Sequence, residues 1–167
     1  TIGLVVPDNT NPFFAEVSHV IEDIGFREDY SVFLCNSDGQ VDKERAYVNS
    51  LVIKRVDGVI FITSGGATEP LQELTRHDTP VVVVDREVPL SLADLVLLDN
   101  KTGGLLATRH LIGLGHRRIG CITGPSMLAP SADRVLCYRE AMQEADICVM
   151  PEWIVGGDFR PTSGQSG

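Results

Sequence analysis

No apolar run in this 167-residue chain approaches the roughly 20 residues needed to cross a bilayer, so a membrane-spanning helix is excluded. Thr1 to Val6 lack the charged start and small-residue cleavage site of a signal peptide. The four cysteines, Cys35, Cys121, Cys137 and Cys148, show no C-x-x-C spacing and lie among apolar residues. They read as reduced, buried thiols rather than a zinc site, which suits a reducing cytoplasm. His19, His77, His110 and His116 stand at no ligand spacing, so no metal is expected. Missing too are the nucleophile elbow G-x-S-x-G, the Walker loop and the dinucleotide fingerprint G-x-G-x-x-G. Gly65-Gly66 follows an apolar run but lacks the lysine of a phosphate cradle. Neither a cofactor nor an enzymatic activity is expected. Positive charge is scarce: 14 Lys and Arg stand against 23 Asp and Glu, for a net charge of -9. The longest basic cluster is His116-Arg117-Arg118, too short to grip a phosphate backbone.

What the chain does contain is a repeated step from apolar strand to helix. Ile2 to Val6 reads as a strand buried on both faces. From Asn11 the period changes, with Phe14, Val17, Val20 or Ile21, and Ile24 at helical spacing. Asn11 is placed as the N-cap, Pro12 as the first helical residue and Gly25 as the stop. The step repeats with a strand at 31–35, a helix at 42–54, a strand at 59–62, and a short helix at 69–76 capped by Thr68. The valine strand 81–84 then ends in Asp85-Arg86. Strands alternating with helices predict an α/β fold on a parallel sheet, with helices on both faces. A ligand would bind at the carboxyl edge, which carries the loops Asn9 to Phe14, Asn36 to Gly39, Thr63 to Gly66, and Asp85-Arg86. Beyond an irregular link, a fifth strand is expected at 95–98, and after it the start of a further unit: a helix at 102–114, a strand at 119–122 and a helix at 132–145. Residues 153–155 read as one more strand, and 159–167 as turn-like.

Several polar and aromatic residues on that edge are candidate ligand contacts. Asn11 presents an amide, although N-capping alone would select it. Phe13 and Phe14 are about 100° apart on a helix, so one ring must face outward. A flat aromatic face can stack on the C–H face of a sugar. Asp85 and Arg86 put an acceptor beside a forked donor, a pair suited to the hydroxyls of a neutral polyol; a local ion pair is the alternative. Arg134 could contribute from the second half or lie on the surface.

The motifs, in order, resemble a known family. Ile2-Gly3-Leu4-Val5-Val6-Pro7, Asn11-Pro12-Phe13-Phe14, Lys54-Arg55-Val56-Asp57-Gly58-Val59-Ile60 and Val83-Val84-Asp85-Arg86 cover the first half. Asp99-Asn100 with Gly103-Gly104, Leu114-Gly115-His116-Arg117-Arg118-Ile119 and Ile122-Thr123-Gly124-Pro125 cover the second. Together they resemble the effector-binding core of LacI/GalR-type transcriptional repressors, which shares its fold with periplasmic sugar-binding proteins. The Asn-Pro-Phe-Phe and Asp-Arg pieces look most like the ribose-responsive members. The resemblance implies a periplasmic-binding-protein-like fold: two doubly wound parallel-sheet lobes joined by a hinge, residues 1–99 and 100–167, the second incomplete. It assigns Asn11, Phe13, Phe14, Asp85, Arg86 and Arg134 to a small-molecule effector, a pentose, held in a cleft between the lobes. It further implies a homodimer whose lobe closure controls operator binding. The helix-turn-helix that would touch DNA is not among these residues. A periplasmic sugar-binding protein of a transport system is the alternative reading.

Overall fold

A computed structural model describes residues 1–63, 65 and 68–166; Ser64, Gly66 and Ala67 of the expected edge loop lie outside the described residues. The chain divides into two compact units, Thr1–Leu97 and Leu98–Gly167, slightly before the division expected after Asp99.

The first unit is built on five parallel strands, β1 (Ile2–Val6), β2 (Val32–Asn36), β3 (Gly58–Phe61), β4 (Val81–Val84) and β5 (Asp94–Val96), in the order β2-β1-β3-β4-β5. Helices α1 (Pro12–Arg27), α2 (Val41–Ile53) and α3 (Glu69–Arg76) connect them. The alternation of each strand divides its side chains between two cores. Val5, Cys35, Val59, Phe61, Val81 and Val83 pack with Val48 and Leu51 of α2 and with Leu71 and Leu74 of α3. Leu4, Val6 and Ile62 pack with Phe14 of α1 on the opposite face. The expected fold class is therefore present, with helices on both faces. Strand order reverses between β1 and β3, so the carboxyl ends of these strands form the switch point at which such sheets hold ligands.

Gly25 does not stop α1. The helix runs through it to Arg27, and Gly25 is buried because a Cβ there would come within 2.9 Å of Val32 Cγ2. The glycine lets the helix lie close on β2. Termination falls instead at Asp29, which adopts φ 59° while its N–H donates to Phe26 O and the Tyr30 N–H donates to Gly25 O. This paired closure is the Schellman motif. Helices α2 and α3 end likewise, at Arg55 (φ 51°) and Asp78 (φ 51°). Nor does Thr68 cap α3: its backbone is already helical and its side chain makes no capping bond.

The second unit contains α4 (Asn100–Gly113), β6 (Cys121–Ile122), α5 (Ala129–Glu144), β7 (Ile154–Val155) and α6 (Pro161–Ser166), with β6 and β7 parallel. Helices α4 and α5 close with the same motif at Gly115 (φ 92°) and Asp146 (φ 57°). Helix α5 begins a turn earlier than expected because Pro130 occupies its first turn. Strand β6 starts later than expected: the Ile119 side chain joins the core with Tyr138 and Met142, and its carbonyl accepts the Tyr138 hydroxyl at 2.7 Å. The terminal segment expected to be turn-like carries α6 instead.

The four cysteines are free, as expected of thiols without C-x-x-C spacing. They are not uniformly buried, however. Cys35 and Cys137 are buried, Cys121 is half-buried, and Cys148 is exposed beyond the end of α5. Burial pushes the Cys35 thiol above its ordinary range, keeping it protonated and inert.

Candidate functional site: the carboxyl edge of the first sheet

As β1 ends at Val6, the chain turns sharply. The Asp8 carboxylate accepts from Thr10 N–H at 2.9 Å and from Thr10 Oγ1 at 2.6 Å, and Asn11 N–H donates to the Asp8 carbonyl. Asn11 is extended (φ −72°, ψ 124°), and its side-chain oxygen accepts from Phe13 N–H at 3.0 Å. It is the N-cap of α1, with Pro12 opening the helix. A cap of this kind contributes about 1 kcal/mol.

The cap fixes the direction of the two rings that follow. Phe14 enters the core at 8% exposure, packed with Val6, Ile62 and Val84, whereas Phe13 keeps 39% of its surface open. The rings meet edge to face, with centroids 5.1 Å apart. One inward ring therefore braces one outward ring at the mouth of the switch point.

Asp85 and Arg86 lie on the same edge, at the end of β4. Asp85 has φ 62°, a left-handed kink that turns the chain away from the strand, and its N–H donates to Val96 O at 2.9 Å. Arg86 folds back to donate Nη1 to the Asp85 carbonyl at 2.6 Å and to the Asp85 carboxylate. The ion pair is thus real and close, and its side chains are only 7% and 10% exposed. It is not self-sufficient. Asp85 Oδ1 and Arg86 Nε are both buried with no hydrogen-bond partner among the described residues. Leaving a buried polar atom unpaired costs about 1–3 kcal/mol. One open acceptor and one open donor therefore stand side by side at the edge where a ligand is expected.

Five of the six expected residues, Asn11, Phe13, Phe14, Asp85 and Arg86, are thus brought to one edge of the first unit. Arg134 belongs to α5 in the second unit. There its Nε donates to Asn100 Oδ1 at 2.8 Å, and its guanidinium lies 5.8 Å from the Phe159 ring centroid. Beside it is a groove of about 510 Å³, lined by Asn100, Gly103, Ile119, Gly120, Arg134 and Tyr138 among others. Sequence reasoning missed Phe159. It combines φ 64°, unusual for a bulky side chain, with a cation–π contact, a strained placement of the kind that gathers at functional positions. Its position in an Asp-Phe-Arg-Pro turn was the only available signal. Nearby, Asp99 caps α4 by accepting from Thr102 N–H at 2.9 Å. Its hydrogen bonds with Thr102 hold the carboxyl below its ordinary range.

Residues 1–158 match the family described as periplasmic binding proteins and sugar binding domain of LacI family. The chain belongs to that family. It is 37% identical over 164 residues to the HTH-type transcriptional repressor PurR of Aliivibrio salmonicida (strain LFI1238), an alignment covering 98% of this chain and 49% of the relative. A crystal structure described as a ribose operon repressor from Burkholderia thailandensis superposes with a TM-score of 0.81 at 36% identity, covering 93% of this chain and 59% of that one. A LacI family regulator from Enterococcus faecium with bound ribose superposes at 0.84 with 29% identity, covering 99% and 60%. The chain spans about half the length of the curated relatives it matches. These relatives are transcriptional regulators, which favours the repressor reading over a transport protein. The family membership confirms the periplasmic-binding-protein-like fold. Among the described residues no group of His, Cys, Asp and Glu could hold a metal ion, and no helix is long and apolar enough to cross a membrane.

Proposed function

We propose that this chain is the effector-sensing part of a LacI-type transcriptional repressor and that it binds a neutral sugar of the pentose class. The observation that carries this reading is the buried Asp85–Arg86 pair with its open Oδ1 and open Nε. A hydroxyl group can donate to the first, and a hydroxyl or ring oxygen can accept from the second. Because Asp85 already neutralises the Arg86 charge, the pair favours a neutral polyol over a sugar phosphate. The exposed Phe13 ring supplies the flat apolar surface on which the C–H face of a sugar rests. Asn11 completes the first unit's contribution, with Phe14 supporting the Phe13 ring from the core, and Arg134 is assigned as an effector contact of the second unit.

The protein acts in the cytoplasm as a homodimer, with residues 1–99 and 100–167 as its lobe segments. Operator DNA is gripped by a helix-turn-helix outside these residues, in keeping with their net charge of -9. Effector and operator then favour different conformations of the whole repressor, and that preference couples the two binding events.

Scanning calorimetry with D-ribose, D-glucose, ribose 5-phosphate and a purine base tests the ligand class. D-ribose is expected to raise the thermal midpoint by mass action, with ribose 5-phosphate weaker. A flat response to both sugars, or a response to the purine base alone, overturns the assignment. Asp85→Asn preserves the shape of the carboxylate while removing its charge and one acceptor; it should abolish the ribose response. In the full gene product, a signal peptide ahead of Thr1 would replace the repressor reading with a transport one.

A further inference from the structure

The turn between β1 and α1 is bonded to a side chain of a neighbouring strand. Asn9, in the turn between β1 and α1, donates its N–H to Asn36 Oδ1 at 3.0 Å, across 27 residues of sequence. Asn36 is the last residue of β2 and pairs in register with Val6, the last of β1. The next residue, Ser37, is fully buried and donates both its N–H and its hydroxyl to the Val6 carbonyl. The two strand ends are therefore fastened together where the Asn9–Phe14 turn departs.

The Asn36 side chain is itself held. Its Nδ2 donates to Asp38 Oδ1 at 2.5 Å, and Lys43 of α2 donates to the other Asp38 oxygen. An amide is the side chain this position requires. It must accept from a backbone N–H on one side and donate to a carboxylate on the other, which a carboxylate or hydrocarbon of the same size cannot do. The Lys43–Asp38 pair determines which way round the amide sits, and so which atom faces Asn9.

We propose that Asn36, oriented by Asp38 and Lys43, is a positioning residue: it sets the turn that presents Asn11 and Phe13 without touching the ligand. The bonds from Thr10 to Asp8 and from Phe13 to Asn11 are local to the turn. Asn36 supplies a side-chain tie between that turn and a different strand. Its importance for affinity rests on the sugar reading above; its action on the turn does not.

Two measurements keep those apart. In Asn36→Ala, amide hydrogen exchange at Asn9, Thr10 and Asn11 should accelerate about tenfold or more, while exchange in β3 and β4 is unchanged. Calorimetric titration with D-ribose should show about tenfold weaker binding, the equivalent of one hydrogen bond's worth of placement. The decisive variant is the double exchange Asn36→Asp with Asp38→Asn, which reverses donor and acceptor between the two side chains yet leaves an acceptor facing Asn9. It should restore slow exchange at the turn, and with it affinity, where Asn36→Asp alone does not. Unchanged exchange in β3 and β4 in all these variants separates placement of the turn from general destabilisation. Unchanged turn exchange in Asn36→Ala, or failure of the double exchange to restore it, overturns the proposal. Accelerated exchange in a protein whose wild type ignores D-ribose overturns the sugar reading and leaves the positioning role standing.

Discussion

Arg55 closes α2 in a left-handed conformation, φ 51°, that costs an L-residue about 1–2 kcal/mol. Glycine adopts the same conformation freely but loses about 0.5–1 kcal/mol more chain entropy on folding. Replacing Arg55 by glycine should therefore return about 0.5–1 kcal/mol. Against this, the arginine charge at a helix carboxyl end is worth about 0.3 kcal/mol, which the substitution forfeits. The side chain is exposed, so no packing is lost. A net gain of about 0.5 kcal/mol remains, or about 2–4 °C in the midpoint of a unit the size of the first. Thermal unfolding monitored by circular dichroism, with urea denaturation for the free energy, reads this directly. Gly115→Ala is the mirror experiment, because Gly115 holds the equivalent position after α4 at φ 92°; it should lose about 1 kcal/mol. An Arg55→Gly variant that melts at or below the wild type, or a Gly115→Ala variant that melts with it, refutes the strain argument.

The two phenylalanines should separate stability from binding. Phe14→Ala empties a core position and should cost about 3–5 kcal/mol in urea unfolding, whereas Phe13→Ala should cost about 1 kcal/mol or less yet weaken the D-ribose response. Asn11→Ala removes the cap of α1 and should destabilise by about 1 kcal/mol in the same assay. The Asp99 carboxyl titrates below its ordinary range because of its bonds with Thr102. Its contribution is fully present above the ordinary aspartate value and is lost as pH falls through the lowered one. Asp99→Ala should accordingly melt below the wild type near neutrality, and the gap should close in strong acid.

The parts of the fold written as contrast were legible. Strand β4 is four consecutive valines, and β1 is an apolar run ending in proline and aspartate; no helix competes for either. The start of α1 was legible because Asn11 and Pro12 are both selective for their positions. The ends of α2 to α5 fall within one residue of expectation, but most of the residues that close the helices were not legible. Glycine is the expected signal there, but aspartate or arginine occupies the left-handed residue of four helices, while Gly25 serves a close contact in mid-helix. Of the site, geometry alone required one of the two rings to face outward, and the structure shows it to be Phe13. The Asp85–Arg86 ion pair was foreseen only as an alternative to ligand contact, and it is present. The pair engages Asp85 Oδ2 and Arg86 Nη1 and, among the described residues, leaves Asp85 Oδ1 and Arg86 Nε without a partner. Phe159 escaped notice because its significance lies in backbone strain and in an arginine 25 residues away in sequence, and composition records neither.

The Asp85 N–H donates to Val96 O, one residue before the first unit ends at Leu97. Asp85 is thus tethered to the stretch of chain that leaves the sheet. A backbone movement at Asp85 must therefore either carry the Val96 carbonyl with it or break the one bond, 2.9 Å long, that joins the kink to the last strand of the first unit.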